Sequence, residues 1–310
     1  MRLPSSEVLA HRHGVLRTRL LEQGLDGLVV TNPTNIRYLS NHVGTAGTLV
    51  ITSSGIHLLV DSRYQEAVRE RQASAAACPD LRIRSVPASY DEALVDMLTQ
   101  SGTSTIGIEA AHMTVARKEW LERTISSRGL PIALRSTERI IERARLLKSP
   151  AEIAVIREAA VRLRGVAEAA FAAVRVGVKE RDIAGAIEIA MRAAGYDRPA
   201  FDTIVASGPN SALPHHRAGA RALAEGDLVV LDFGGVLDGY CSDLTRTVSV
   251  GAPTADARRL HAAVREAQQA AVEAVKPGVP ASEVDAAARR LLESRGLGEA
   301  FGHGTGHGLG

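Results

Sequence analysis

Residues 227–251, DLVVLDFGGVLDGYCSDLTRTVSVG, carry the strongest structural pattern in this chain. Two β-rich runs flank a turn that is either Leu237-Asp238 or Asp238-Gly239, a pattern that predicts an antiparallel hairpin. Asp232 and Asp243 share one face in either register. A turn at Leu237-Asp238 would place the two aspartates directly opposite each other, and a turn at Asp238-Gly239 would make them diagonal neighbours. In both cases the hairpin brings two carboxylates together.

A pair of neighbouring carboxylates has three interpretations. One carboxyl binds a proton, as in a general acid–base pair, or a cation lies between the two. From the hairpin alone, two solvated aspartates on an outer sheet face are at least as good an explanation. Asp232, however, follows the apolar run LVVL, where an unpartnered charge would be costly, and this favours a functional pair.

Histidines occur in two loops near this hairpin. The last ten residues, FGHGTGHGLG, place His303 and His307 four apart among glycines, which predicts an extended loop that can approach a ligand closely and excludes a helix. Alone, an HxxxH spacing is a weak signal that also fits a solvated tail. Together with the two aspartates, one histidine of the tail would complete a ligand set of two Asp and one His, and the other histidine would be an additional candidate. His215 and His216 follow Pro214, and by composition alone they are surface histidines.

An internal repeat precedes and follows the hairpin. Residues 173–195 align with residues 274–296 without a gap, at an offset of 101 residues. Both copies have the pattern of a long helix, a Gly-containing turn, a shorter helix and a Gly stop. The repeat predicts a domain of two pseudo-symmetric halves, and chance similarity between Ala-rich helices is the alternative.

The sequence predicts two domains joined by a connector. Residues 1–135 alternate helical and strand patterns, including two strands joined at Ser53-Ser54-Gly55, and predict an α/β domain. Residues 136–148 predict a helical connector. Residues 149–310 form the second domain, so the fold class is α/β (α+β).

The second domain begins with a clear helix signal. Ser149-Pro150-Ala151-Glu152 is a capping box with proline at the first helical position. Four residues at helical spacing predict its buried face: Ile153, Ile156, Ala160 and Leu163.

Composition excludes several classes of protein. Hydrophobic residues are 45 % and charged residues 23 %, as in an ordinary globular protein, and the net charge of +2 gives no basis for nucleic-acid binding. Aromatic residues are only 3 %, too few for a base-stacking surface. Cys78 and Cys241 fit neither a disulfide framework nor a zinc knuckle. No signal-peptide pattern or membrane-length apolar run occurs, so we expect a cytoplasmic protein without a membrane partner.

Several motifs together resemble one family. Residues 232–235 (DFGG), 238–247 (DGYCSDLTRT) and 303–310 (HGTGHGLG) resemble the Xaa-Pro peptidases of the pita-bread metallopeptidase family M24, which include aminopeptidase P and prolidase. Residues 31–38 (TNPTNIRY) and 61–64 (DSRY) resemble the creatinase-like N-terminal domain of that family. The resemblance therefore covers nearly the whole chain.

This resemblance implies a site and a reaction. It makes Asp232, Asp243 and His307 metal ligands, and places His215 and His303 at the substrate, where they stabilise the tetrahedral intermediate. It implies two divalent metal ions; oxygen-dominated ligation with one imidazole favours Mn²⁺, with Co²⁺ or Zn²⁺ as alternatives. A metal-bridged hydroxide then attacks the Xaa-Pro amide of a proline-containing peptide, and the protein is expected to be a homodimer.

One departure from the family pattern affects the expected activity. The family completes its metal cage with two glutamates further along the chain, about where the repeat places a second hairpin, and this sequence contains neither. We therefore expect the C-terminal strands to be missing and the 310-residue chain to be inactive alone, as a fragment, a truncated gene model or a frameshifted copy. The alternatives are a creatinase-like C–N hydrolase and a non-catalytic peptide-binding pita-bread module, as in peptidase-like histone chaperone domains.

Overall fold

The protein divides into two compact units, Met1–Leu147 and Lys148–Gly310, in a computed structural model that describes residues 2–310. The boundary lies at the end of the predicted connector, residues 136–148. The structure places the end of a strand and a short helix there, and both belong to the first unit. None of the helices within residues 2–310 is both long enough and apolar enough to cross a membrane.

The first unit is a mixed sheet with helices on both faces. Its helices are α1 (Ser6–Glu22), α2 (Pro33–Ser40), α3 (Ser62–Gln72), α4 (Tyr90–Ser101), α5 (Val115–Ser127) and α6 (Ile140–Leu146). Its strands are β1 (Gly27–Val30), β2 (Thr48–Thr52), β3 (Gly55–Val60), β4 (Leu81–Ser85), β5 (Thr105–Glu109) and β6 (Ala133–Thr137).

The order of these strands is β4-β3-β2-β1-β5-β6. The β2–β3 pair is the antiparallel hairpin predicted at residues 53–55. Alternate side chains of β1 point to opposite faces: Leu28 packs in a core with α1, α2 and α6, whereas Val29 packs in a core with α4 and α5. This unit therefore has a hydrophobic core on each side of its sheet.

The second unit is built from two helix pairs and two small antiparallel sheets. Its helices are α7 (Pro150–Ala173), α8 (Glu180–Ala193), α9 (Ala255–Ala274) and α10 (Ala281–Ser294). Its strands are β7 (Arg198–Pro199), β8 (Ile204–Ser207), β9 (Leu228–Phe233), β10 (Gly235–Leu237), β11 (Tyr240–Cys241) and β12 (Leu244–Ser249). The sheets have the orders β11-β10-β7 and β12-β9-β8.

Helix α7 confirms the capping box but not the predicted buried face. The Ser149 side chain accepts from the N–H of Glu152, and the Glu152 carboxylate accepts from the N–H of Ser149. Ile153 is 44 % exposed, and Leu163 is the only one of the four predicted residues in the buried set. The residues that pack against α8 and the sheet are Ala159, Leu163, Val166, Ala167 and Ala170. Small alanines allow close approach to those elements, which the hydrophobic spacing of the isoleucines did not indicate.

The backbone confirms the internal repeat. Helix α7 followed by α8 has its counterpart in α9 followed by α10, and both shorter helices have 14 residues. The turn glycines Gly177 and Gly278 have φ angles of 82° and 83°. Both lie in the left-handed region that favours glycine.

The two halves differ in what covers the long helix. In α7, Ala159 and Leu163 are buried in the core formed with the sheet β12-β9-β8. The equivalent residues of α9, Leu260 and Val264, are 46 % and 51 % exposed. Helix α9 packs instead on α10 through a small core centred on Ala267, Ala271, Ala288 and Leu292.

Candidate metal centre

The hairpin predicted from residues 227–251 forms in the diagonal register. Leu237 pairs with Tyr240, so the turn is Asp238-Gly239, and further along Thr245 pairs with Asp232. Both turn residues have positive φ, 50° and 90°, as a two-residue type I′ turn requires. Asp243 is consequently a diagonal neighbour of Asp232 on the same face.

The glycines of the DFGG motif allow the strands to approach one another closely. Gly234 lies between the sheet β12-β9-β8 and the sheet β11-β10-β7. A Cβ atom there would overlap the carbonyl oxygen of Ser242 and crowd the ring of Phe201. Only glycine fits this position, and Ser242 directly precedes Asp243, which lines the cleft.

Asp232 is a half-buried carboxylate next to a second negative charge. It belongs to the β9 face opposite Val229, Leu231 and Phe233, which are fully buried. Thr245 Oγ1 donates a hydrogen bond of 2.8 Å to Asp232 Oδ1. Burial raises the pKa of Asp232, and the charge of Asp243 raises it further, against the opposing effects of Thr245 and His215. Negative charge is therefore concentrated here beyond what its neighbours neutralise.

The glycine-rich tail brings one histidine to this pair. The tail forms no helix, as predicted. His307 Nε2 lies 3.4 Å from Asp243 Oδ2, and its side chain is 71 % exposed. His303 is elsewhere: its ring packs edge-on against Phe301 and its Nδ1 lies 2.8 Å from the Gly304 carbonyl oxygen.

Four of the five predicted site residues line one cleft of about 800 Å³ in the second unit. They are His215, Asp232, Asp243 and His307. His303 is not among the lining residues. The walls also carry charges of both signs, including Arg181, Glu188, Asp202 and Arg217.

Two residues of this cleft region were not singled out by the sequence analysis. Thr203 lines the cleft, and its buried Oγ1 makes no hydrogen bond within residues 2–310. Glu180, at the start of α8, has a fully buried side chain that accepts a hydrogen bond of 2.8 Å from His216. The partners of Glu180 lie 27 to 39 residues away in sequence, so no local pattern could have indicated its importance.

The donor set fits a divalent cation in its chemistry. Carboxylate oxygens with one imidazole are the ligands expected for Mn²⁺, Co²⁺ or Zn²⁺, and a cation would offset the charge of the Asp232–Asp243 pair. Within the described part of the chain, however, no three His, Cys, Asp or Glu side chains converge closely enough to hold an ion. The geometry thus supplies an aspartate pair and one adjacent imidazole.

Comparison with known families decides the assignment. The model for metallopeptidase family M24 matches residues 154–310, which contain this cleft. The chain belongs to metallopeptidase family M24. The Creatinase/Prolidase N-terminal domain model matches residues 12–147. The M24 assignment confirms the predicted fold class, with a creatinase-like N-terminal domain followed by a pita-bread domain.

Relatives of this M24 protein include peptidases. An uncharacterized peptidase of Bacillus subtilis, YqhT, is 36 % identical over 300 residues, which cover 95 % of this chain and 81 % of the relative. A Xaa-Pro dipeptidase of Pyrococcus furiosus is 32 % identical, covering 93 % of this chain and 79 % of the relative. The structure of a Xaa-Pro dipeptidase from Bacillus anthracis superposes with a TM-score of 0.90 at 32 % identity, over 97 % of this chain and 82 % of that one.

These comparisons confirm that the protein is a metallopeptidase of the hydrolase class. Membership of a metallopeptidase family implies divalent metal ions, although it does not identify the metal.

Proposed function

We propose that this M24 protein is an exopeptidase that hydrolyses the Xaa-Pro bond of short peptides. The reaction would use two divalent metal ions, for which Mn²⁺ is the expected metal. The observation that carries the proposal is the diagonal pair Asp232 and Asp243 in a cleft of about 800 Å³, with His307 3.4 Å from Asp243. The names of the relatives, which include Xaa-Pro dipeptidases, favour the same substrate class.

Three side chains of this chain would hold the metal: Asp232, Asp243 and His307. Divalent ions held there would supply a ligated water of lowered pKa and would polarise the carbonyl group of the bond to be cut. Thr245 holds Asp232 in place through its 2.8 Å hydrogen bond, which fixes one carboxylate oxygen and leaves the other available.

His215 would act on the substrate. It lines the same cleft as Asp232 and Asp243, and its charge partly offsets the rise that burial causes in the pKa of Asp232. From there it can donate a hydrogen bond to the oxyanion of the tetrahedral intermediate. His303 keeps this role only as a prediction from the resemblance, because it is directed towards Phe301.

The test uses the purified full-length protein. Metal-stripped protein is reconstituted separately with Mn²⁺, Co²⁺ and Zn²⁺ and assayed on Ala-Pro, Ala-Pro-Ala and the control Ala-Ala. We expect hydrolysis of an Ala-Pro bond that requires metal and stops on addition of a chelator. The choice between the two proline peptides identifies the size class of substrate.

Three other results would overturn the proposal. Hydrolysis of Ala-Ala at the same rate as Ala-Pro would show that the enzyme is not specific for proline. Binding of Ala-Pro without hydrolysis under all three metals would identify a peptide-binding module instead. Metal-independent hydrolysis of creatine would identify a creatinase-like enzyme.

The homodimer and the cytoplasmic location stay predictions from the resemblance and the sequence. The dimer is tested by light scattering, in which a particle of twice the 32.8 kDa chain mass is expected.

A further inference from the structure

Glu180 is a buried carboxylate that the proposed reaction does not use. Its side chain has no solvent exposure, although it stands at the first position of α8. A buried carboxylate without hydrogen-bond donors would be costly. The donors around Glu180 therefore identify the segment that this side chain holds in place.

Every one of its five side-chain hydrogen bonds goes to residues 207–219. Oε1 accepts from Ser207 N at 2.8 Å, from Ser207 Oγ at 2.7 Å and from Asn210 Nδ2 at 3.0 Å. Oε2 lies 2.8 Å from His216 Nε2 and accepts from Gly219 N at 3.2 Å. One oxygen therefore binds the start of the segment and the other binds its end.

The backbone of the helix start joins the same loop. Glu180 N donates to the Arg221 carbonyl oxygen at 3.0 Å, and Arg181 N donates to the Gly219 carbonyl oxygen at 3.1 Å. The N-cap residue Lys179 makes no side-chain hydrogen bond to the start of α8. The first backbone amides of the helix donate to the loop instead.

The ionised form of Glu180 is strongly favoured. Burial opposes ionisation, but the hydrogen bonds from Ser207, Asn210 and His216 outweigh it and lower the pKa to about 2. At neutral pH the carboxylate therefore only accepts hydrogen bonds, which matches the donors around it.

His215 lies inside the segment that Glu180 closes. Oε2 binds its neighbour His216 directly. Both histidines line the cleft, which His215 shares with Asp232 and Asp243. Fixing His216 and Gly219 restricts the backbone of His215 without touching its imidazole.

We propose that Glu180 is a positioning residue that holds His215 in the cleft by binding both ends of residues 207–219. This inference rests on the proposed function for the role of His215. Glu180 itself does not line the cleft and hydrogen-bonds none of the proposed metal ligands, so it acts through the loop residues that it binds.

A double-mutant cycle tests this dependence. Glu180→Gln keeps the volume but replaces one acceptor oxygen with a donor, and we expect kcat to fall by about 10–100-fold with little change in metal affinity. In a His215→Ala background the same substitution should lower kcat by about twofold or less, because the residue it positions is already absent. His216→Ala leaves four of the five hydrogen bonds of Glu180, so it should lower kcat by a smaller factor. This variant replaces Glu180→Gln in the test if Glu180→Gln does not fold.

The control is Glu168→Gln, at an exposed position of α7. It should leave kcat unchanged in both backgrounds. Full activity of Glu180→Gln, or a loss that is equal in the presence and absence of His215, would overturn the inference and leave the proposed function intact.

A second readout does not depend on activity. In the metal-free protein, Glu180→Gln should accelerate amide hydrogen exchange in residues 207–219 and not in α9 or α10. If the unaltered protein shows no Xaa-Pro hydrolysis, the proposed function fails, and exchange alone decides the positioning role. Unchanged exchange in residues 207–219 would then overturn it.

Discussion

Asp243 links the two parts of the candidate centre at the scale of single residues. Its charge raises the pKa of Asp232, and its carboxylate lies 3.4 Å from His307.

Asp243→Ala should abolish metal-dependent hydrolysis while leaving the fold intact. We expect Mn²⁺ affinity to fall by more than about 100-fold, beyond the loss usual for a residue that only supports a ligand. The free energy of unfolding should change by less than about 1 kcal/mol, because removal of Asp243 also removes a repulsion. Calorimetric Mn²⁺ titration and urea unfolding measure the two quantities.

Asp256→Ala is the matched control, since it removes an exposed aspartate of α9. It should leave Mn²⁺ affinity unchanged. Retention of tight Mn²⁺ binding by Asp243→Ala would show that the hairpin pair does not form the metal centre.

Glu180 should make stability depend on pH. Its pKa of about 2 lies below the ordinary value of 4.5, so its stabilisation is complete above pH 4.5 and is lost as pH falls towards 2. Glu180→Gln should therefore lower the unfolding free energy by about 2–3 kcal/mol at pH 7, and the difference should shrink below pH 4.5. Urea unfolding between pH 7 and pH 2.5 tests this, and a difference that is constant with pH would contradict it.

At the scale of elements, α10 holds the glycine-rich tail against the second unit. Arg289 donates to the carbonyl oxygens of Phe301 at 2.9 Å and His303 at 3.0 Å, and its guanidinium lies over the Phe301 ring. Asp285 Oδ1 accepts from Thr305 N and Oγ1, both at 2.8 Å. These bonds order a segment that its own glycines would leave free.

Arg289→Met should release this tail. We expect faster amide exchange and faster proteolysis within residues 301–310, because two carbonyl contacts and the ring contact are lost. Arg290→Met is the control at the next, exposed position of the same helix. Equal exchange in both variants would show that Arg289 does not order the tail.

For the whole molecule, the two units have separate hydrophobic cores. The six-stranded sheet of the first unit is covered on both faces by its own helices. The second unit leaves Leu260 and Val264 of α9 about half exposed. The units should therefore differ in how completely each buries its apolar surface.

A fragment of residues 1–147 should fold alone and unfold cooperatively. Circular dichroism during urea unfolding measures this, and a gradual transition would contradict it. A fragment of residues 148–310 should bind more of the dye ANS than residues 1–147, and Leu260→Gln with Val264→Gln should reduce that binding.

Features that depend on local chemistry could be predicted from the amino-acid sequence. The hairpin follows from alternation around Asp238-Gly239, the start of α7 from its capping box, and the tail's irregular path from its glycines. The motifs around Asp232, Asp243 and His307 also indicated the family, and close backbone approach explains the glycine at Gly234.

Features that depend on partners distant in sequence became visible only in the folded protein. In the structure, Asp232 and Asp243 lie in the diagonal register, and α7 buries Ala159 while Ile153 is exposed. His303 packs against Phe301 and does not line the cleft. The fold also places Glu180 against residues 207–219. Packing and hydrogen bonding between segments far apart in sequence set these outcomes, and no local pattern contains the positions of such partners.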